Sequence, residues 1–156
     1  MSDQLRLSPR SGMRPETTRS LPHSQLTQHG PDEIVDALHQ WAFALADVDN
    51  HHSLVAVPGT RALVMRAGVE TNERAFMAGR EFAHIHPPPD NGSMHIMLPA
   101  IDAAEVCDKG WGEDHYLVTQ GHMPKGLVLV FSPRNADELE VIKTIVSYSY
   151  EYALRV

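Results

Sequence analysis

The spacing of apolar residues along this chain changes from segment to segment. From Pro31 onward, Ile34, Val35, Leu38, Trp41, Ala42 and Leu45 recur at helical intervals, with Asp32 and Glu33 at the positive end of the helix dipole. The pattern predicts an amphipathic helix over 32–46, ended by Asp47, Asp49 and Asn50. Leu54 to Val57 and Arg61 to Arg66 are short valine-containing runs parted by Pro58-Gly59, and read as two strands. Residues 67–74 read as a loop. Ala75 to His86 reads as a strand broken at Gly79, and Ser93 to Leu98 as its return. Between them, Pro87-Pro88-Pro89-Asp90-Asn91-Gly92 makes a turn, because proline removes ladder donors and Asn-Gly accepts positive φ. Asp102 and Glu105 have capping-box spacing, which predicts a short helix over 102–109 stopped by Gly110. Tyr116 to Thr119 and Leu127 to Phe131 supply the last strands. Asn135 with Glu138 repeats the capping spacing and opens a helix to about Tyr152, with Leu139, Ile142, Val146 and Ala153 on one face. Strands and helices do not alternate strictly. The expected fold class is therefore α+β: a single domain with a mainly antiparallel sheet and helices packed on one face.

Residues 1–30 break this patterning. They are rich in Ser, Thr, Gln, Pro and Arg, with few large apolar side chains, so they bury too little to offset the entropy of ordering. The expectation is a disordered N-terminal tail over 1–30 and one domain over 31–156. Arg6, Arg10, Arg14 and Arg19 outnumber Asp3 and Glu16 there, which leaves a docking arm for an acidic partner as the tail's other use. The whole chain has 156 residues and a formal charge of −7; it suits one domain and lacks the basic face that nucleic acid requires. No apolar run approaches the ~20 residues of a spanning helix, and no charged-then-apolar segment opens the chain, so neither a membrane span nor a secretory signal is expected. The single cysteine, Cys107, excludes an internal disulfide and a multi-cysteine metal site, and makes the reducing cytoplasm the expected compartment. Chemistry falls to the ten histidines.

Three of them sit on the central hairpin. Side chains alternate across a strand, so His84 and His86 share one face, and His95 shares a face with Met97. A two- or four-residue loop near Asp90-Asn91 or Asn91-Gly92 makes facing residue numbers sum to an odd value, such as 86 with 95 or 86 with 97. Either register puts all three imidazoles on one face, whereas a one-residue bulge would separate them. Together they suit a nitrogen site for zinc, iron or copper with an open position. Without metal, they suit general-base work near neutral pH or the lining of a ligand pocket. The same pattern also suits the solvated face of an antiparallel sheet. The cupin pattern wants a glutamate soon after His-x-His, where this chain has Pro87 to Pro89.

Other segments add candidates. Trp111, Glu113, Asp114 and His115 lie beside Gly110 and Gly112, where a carboxylate can orient an imidazole. Arg134, between the last strand and the C-terminal helix, can receive an anion. Cys107 reads as packed and His122 as solvated, and His51 and His52 carry no assigned role. No Gly-rich phosphate loop, serine elbow or His-Glu-x-x-His pair is present.

These motifs occur in an order that resembles a known family. Glu81-Phe82-Ala83-His84-Ile85-His86-Pro87, Asp90-Asn91-Gly92-Ser93-Met94-His95-Ile96-Met97-Leu98-Pro99, Gly110-Trp111-Gly112-Glu113-Asp114-His115 and Phe131-Ser132-Pro133-Arg134 with Glu138 resemble the luciferase-domain family. That family comprises small bacterial and fungal proteins named through fungal luciferase, which oxidises a hydroxylated pyrone with molecular oxygen. The resemblance covers roughly residues 35–152. It implies at most a related pocket; the histidines themselves suggest that the pocket takes a small oxidisable molecule, with molecular oxygen as the only co-reactant or with a His-bound transition metal. The resulting expectation is an oxygenase-like site for a phenolic or pyrone-like ligand. His84, His86, His95 and His115 are its catalytic candidates, Trp111, Glu113 and Arg134 its binding candidates, and His84, His86 and His95 the metal candidates. The alternatives are a non-catalytic binding or interaction module, or a His-ligated metalloprotein.

Overall fold

The computed structural model describes residues 3–155. The elements run α1 (Asp32–Ala42), β1 (Val48–His52), β2 (Arg61–Met65), a 3-10 turn (Glu73–Ala75), β3 (Glu81–Ile85), β4 (Met94–Met97), α2 (Ala100–Asp108), β5 (Gly112–Asp114), α3 (Tyr116–Thr119), β6 (Leu127–Val130) and α4 (Ala136–Leu154). The six strands form one sheet in the order β1-β2-β3-β4-β6-β5, and every neighbouring pair is antiparallel. The α+β class expected from the sequence is the one observed.

One face of the sheet makes the core. Leu63, Met65, Ala83, Ile85, Met94, Ile96, Val128 and Val130 bury against Leu38 and Ala42 of α1, Val106 of α2, and Leu139, Ile142 and Val146 of α4. Ser149 of α4 ties the helix to the sheet by donating to the Met97 carbonyl at 2.6 Å. The single turn of α3 lies apart from these helices: its Val118 packs with Met97 and Leu127 on the opposite face.

Several boundaries differ from the expected ones, each for a local reason. Helix α1 stops at Ala42, the amides of Ala44 and Leu45 tighten into i→i−3 bonds, and Asp47 takes φ +63° to turn the chain into β1. That edge strand exposes most of its side chains, so it shows no apolar alternation. The expected strand at 54–57 is a loop, because the β1–β2 register pairs His52 with Arg61 and leaves residues 53–60 outside the ladder. The expected strand at 116–119 is α3, capped by the imidazole of His115. Strand β5 is three residues long and close to β6; a Cβ at Gly112 would collide with the Leu129 carbonyl oxygen. The cap at α4 forms as expected, with Asn135 Oδ1 accepting from the Glu138 amide at 2.9 Å. At α2 the capping box does not form. Pro99 precedes the helix, and Asp102 and Glu105 instead accept the amides of Leu5 at 2.9 Å and Leu7 at 2.8 Å.

Those two bonds belong to the largest departure. The expected disordered tail is, over the described residues 3–30, a strap laid across the domain. Leu5 is fully buried in the core, the Arg10 amide bonds the Lys109 carbonyl, and Trp111 Nε1 donates to the Ser8 carbonyl at 2.7 Å. Farther along, Thr17 and Gln25 form an antiparallel bridge. Gln25 Oε1 accepts the Ser132 amide at 2.8 Å, and Ser132 Oγ accepts the Gly30 amide at 2.8 Å. The strap is polar because polar partners on α2, β5 and the Ser132 loop fix it; only Leu5 enters the apolar core as a fully buried anchor.

Candidate functional site

Directly opposed residues in an antiparallel sheet share a face. One row across this sheet therefore holds His51, Ala62, His84, His95, Leu129 and Glu113 on the side away from the main core. The hairpin register places His84 opposite His95, and the His86 amide bonds the Ser93 carbonyl at 2.9 Å. The odd-sum parity expected from the sequence holds, but the pairing is shifted: His95 faces His84 instead of His86. The six-residue turn preserves the parity, and all three imidazoles stand on one face.

A bulge lies just before them. Leu63 pairs with Ala83, but Val64 pairs with Glu81, so Phe82 is the extra residue of β3. Phe82 turns into the core beside Tyr150. Strict alternation would put Glu81 on the core face; the bulge brings it to the histidine side. Glu81 Oε2 lies 2.6 Å from His84 Nδ1, and the carboxylate also accepts from Ser53 Oγ at 2.7 Å and the Leu54 amide at 3.0 Å. Burial opposes its charge, but these bonds outweigh burial and hold its carboxyl below the usual range.

Five histidines meet on this face. Ring centroids are 4.9 Å apart for His84–His95, 4.5 Å for His86–His95 and 4.4 Å for His95–His115. His23, carried by the strap, lies 5.3 Å from His115 and 5.9 Å from His95. The hydrogen bonds assign the tautomers. His23 Nδ1 accepts the Tyr116 amide at 3.1 Å, so its Nε2 carries hydrogen and donates to Glu113 Oε2 at 2.8 Å. His115 Nδ1 accepts the Leu117 amide at 3.0 Å, so its hydrogen is on Nε2. His84 donates from Nδ1 to Glu81, which leaves a lone pair on Nε2. Ser93 Oγ donates to Asp90 Oδ1 at 2.7 Å, so it accepts from His86 Nδ1 at 2.9 Å, and His86 Nε2 also bears a lone pair. His95 Nδ1 lies 2.9 Å from His84 Nε2 and donates to it. The remaining nitrogen, His95 Nε2, is buried with no partner among the described residues. Leaving such a group unpaired costs about 1–3 kcal/mol.

Burial keeps most of the cluster neutral. It pushes His86 down to about 3, reinforced by the neighbouring His84, His23 and His115. It holds His95 well below the ordinary histidine value, with His86 and His84 adding to the effect. It lowers His115 to about 4, with His23 and His84 contributing.

The cluster opens on a cavity of about 630 Å³, within the usual size range of small-molecule sites. Leu21 and Pro22 of the strap, Val55 and Val57 of the 53–60 loop, Met77, Leu117 and Met123 give it an apolar wall above the imidazole floor. His84, His86, His95 and His115 all line it, as the sequence suggests. Glu113 stands behind His23 and also accepts from Thr17 Oγ1 at 2.9 Å, so it orients the strap histidine. Trp111 and Arg134 do not line the cavity. Trp111 is packed in the core under Ser8. Arg134 pairs with Glu138 and donates to the Ser11 carbonyl at 2.8 Å and to Gln28, so its guanidinium holds the strap instead of an anion. Cys107 is half-buried, its thiol pushed up to about 11 by burial and Asp114. His51, His52 and His122 are exposed.

Sequence reasoning missed His23, Glu81 and the Ser93–Asp90 pair behind His86. His23 has no periodic context in its polar segment. Glu81 sits three residues before His84, a spacing that brings side chains together on a strand only through a bulge. The Ser93–Asp90 pair was readable in principle, because both close the hairpin turn next to His86.

Fold and site define a class: an antiparallel α+β protein whose outer sheet face carries a buried imidazole cluster under an apolar-walled cavity. Residues 79–149 match the family model described as Luciferase domain. It is 29% identical to the luciferases of Armillaria gallica and Armillaria mellea over 163 aligned residues, covering 94% of this chain and 60% of each relative. It is 39% identical to the luciferase of Neonothopanus nambi over 75 residues, 47% of this chain and 28% of that one. The chain thus spans 60% of the length of the Armillaria proteins. No solved structure matches it. Among the described residues, no helix is long and apolar enough to cross a membrane.

Proposed function

We propose that the cavity binds a small, electron-rich hydroxyaromatic molecule, of the phenol or hydroxypyrone kind, and promotes its reaction with molecular oxygen. The observation that carries this reading is the pairing of opposite hydrogen-bond roles on one cavity floor. His86 offers a lone pair at Nε2, and His115 offers hydrogen at Nε2. A molecule with adjacent hydroxyl and carbonyl oxygens matches that pair: the acidic hydroxyl faces the lone pair and the carbonyl faces the donor. The hydroxyl proton passes to His86 Nε2, whose imidazolium is then paired with the enolate or phenolate formed beside it; that electron-rich anion is what oxygen oxidises, and the His115 donor stabilises the developing oxyanion. The apolar wall suits the rest of the ring system and keeps water from competing for these bonds. Kinship with proteins named luciferase supports an oxygen-dependent reaction of this type.

The test is oxygen uptake with a panel of catechols and 3-hydroxy-2-pyrones, with product masses read in parallel. The expected result is probe-dependent uptake that falls about 100-fold in His115→Ala, the scale of losing one oxyanion donor. Absence of uptake together with absence of binding overturns the reading. Saturable binding without uptake makes the protein a ligand-binding module.

A further inference from the structure

We infer that His84, His86 and His95 form a binding site for one divalent first-row transition-metal ion, with an open position toward the cavity. Each offers a ring nitrogen within 4.8 Å of the others. Two features of the surrounding hydrogen bonds single out this trio from the rest of the cluster.

The first is where the hydrogens sit. A metal needs a nitrogen lone pair, and a ligand histidine ordinarily donates its other ring hydrogen to a carboxylate, a carbonyl or water. His84 does so to Glu81, and His86 does so to Ser93, which is backed by Asp90. His86 therefore keeps Nε2 free to coordinate, and the lone pair of His84 Nε2 is directed at His95 Nδ1, its neighbour in the trio. The neighbouring trio of His23, His95 and His115 is as compact, but its hydrogens are wrongly placed. His23 has both nitrogens engaged, by the Tyr116 amide and by Glu113, and His115 accepts an amide at Nδ1, which puts hydrogen on Nε2.

The second is His95, whose side chain no tautomer satisfies. With hydrogen on Nδ1 it donates to His84, and its buried Nε2 lone pair has no donor. With hydrogen on Nε2, that hydrogen has no acceptor, and two lone pairs face each other 2.9 Å apart at the His84 contact. A cation held by His84 Nε2 and His95 Nδ1 removes that repulsion, because it takes both facing lone pairs, and the His86 Nε2 lone pair gives it a third nitrogen donor. Three neutral nitrogens with no thiolate or carboxylate in the set are donors suited to iron, copper, nickel or zinc.

The site deepens the proposed function and rests on the same cavity. Adjacent hydroxyl and carbonyl oxygens are a chelating pair, so an ion on this floor would take the same class of molecule through its open position. The two readings are nonetheless separable.

The full chain is stripped with chelator and titrated with Co(II), followed by visible absorption, and with Zn(II), followed by calorimetry. The expected result is one equivalent bound at micromolar or lower dissociation constant, with an absorption band of imidazole-bound cobalt. His86→Ala should weaken binding at least 100-fold. Glu81→Gln and Ser93→Ala, which leave all three ligands in place, should each weaken it about 10- to 100-fold. His115→Ala and the His51→Ala/His52→Ala double variant should bind as the parent does. Circular dichroism checks that each variant is folded. If His86→Ala does not fold, the Glu81→Gln and Ser93→Ala titrations decide in its place. Binding only at millimolar metal, or equal binding by parent, Glu81→Gln and Ser93→Ala, overturns the site. Hydroxypyrone binding by metal-free protein, alongside failed metal binding, removes the ion and leaves the proposed function standing. Tight metal binding with no hydroxypyrone binding in either form does the reverse.

Discussion

At the scale of single residues, the site is defined by which histidine nitrogen carries hydrogen. The hairpin imidazoles are fixed from behind, by Glu81 and by the Ser93–Asp90 pair, and they present lone pairs forward. His23 and His115 are fixed by backbone amides and present the opposite atom. The burial that makes this possible also has a cost in stability that depends on pH. His86 and His95 stay neutral in the fold, while in the unfolded chain they protonate below the ordinary value of about 6.5. Between that value and about 3 for His86, the unfolded chain binds the additional proton, so stability rises with pH across the window. Well inside the window each such imidazole adds about 1.4 kcal/mol per pH unit, and above about pH 7 the slope from these groups vanishes. Urea unfolding of the metal-free protein should therefore show a midpoint that falls steadily from pH 7 to pH 5. A flat midpoint over that range would mean that these imidazoles are solvated.

At the scale of elements, the sequence was most legible where apolar period and caps agree. The amphipathic repeat of α1, the Asn135 cap of α4 and the return strand after the triple proline all lie near their expected places. The parity of the hairpin was readable because an even turn length is enough to put His84, His86 and His95 together. The exact partner was not readable, since it depends on how many turn residues stay outside the ladder. The bulge at Phe82 was hidden because Phe82 is apolar and fits the core from either strand register. The strap was hidden for a different reason. Its partners are polar groups distant in sequence: Asp102 and Glu105 for Leu5 and Leu7, and Ser132 for Gly30. A composition rule that counts only apolar residues reads such a segment as disordered. The strap's fully buried leucine gives a direct check. Leu5→Ala should destabilise the protein by about 2–5 kcal/mol in denaturant unfolding, the range for truncating a buried leucine. A change below about 0.5 kcal/mol, the usual effect of an exposed substitution, would show that the strap does not pack.

At the scale of the whole molecule, the two faces of the sheet divide the work. The helical face holds the apolar core, and the opposite face holds the imidazoles. That second face stays accessible because no long helix covers it: the strap, the 53–60 loop and the α3 turn frame the cavity instead. The strap contributes His23 to the cluster and Leu21 to the cavity wall, so it belongs to the site as well as to the fold. The function of the molecule depends on whether this face receives a ligand. The most direct measurement is nitrogen NMR of the protein labelled with 15N-histidine, metal-free at pH 7, during titration with a 3-hydroxy-2-pyrone. Before addition, His84 and His86 should report hydrogen on Nδ1, and His23 and His115 hydrogen on Nε2. On titration, the resonances of His86, His95 and His115 should move together and saturate with one dissociation constant, while those of His51, His52 and His122 stay in place. Unmoved cluster resonances at saturating probe, or shifts confined to the three exposed histidines, would contradict the account.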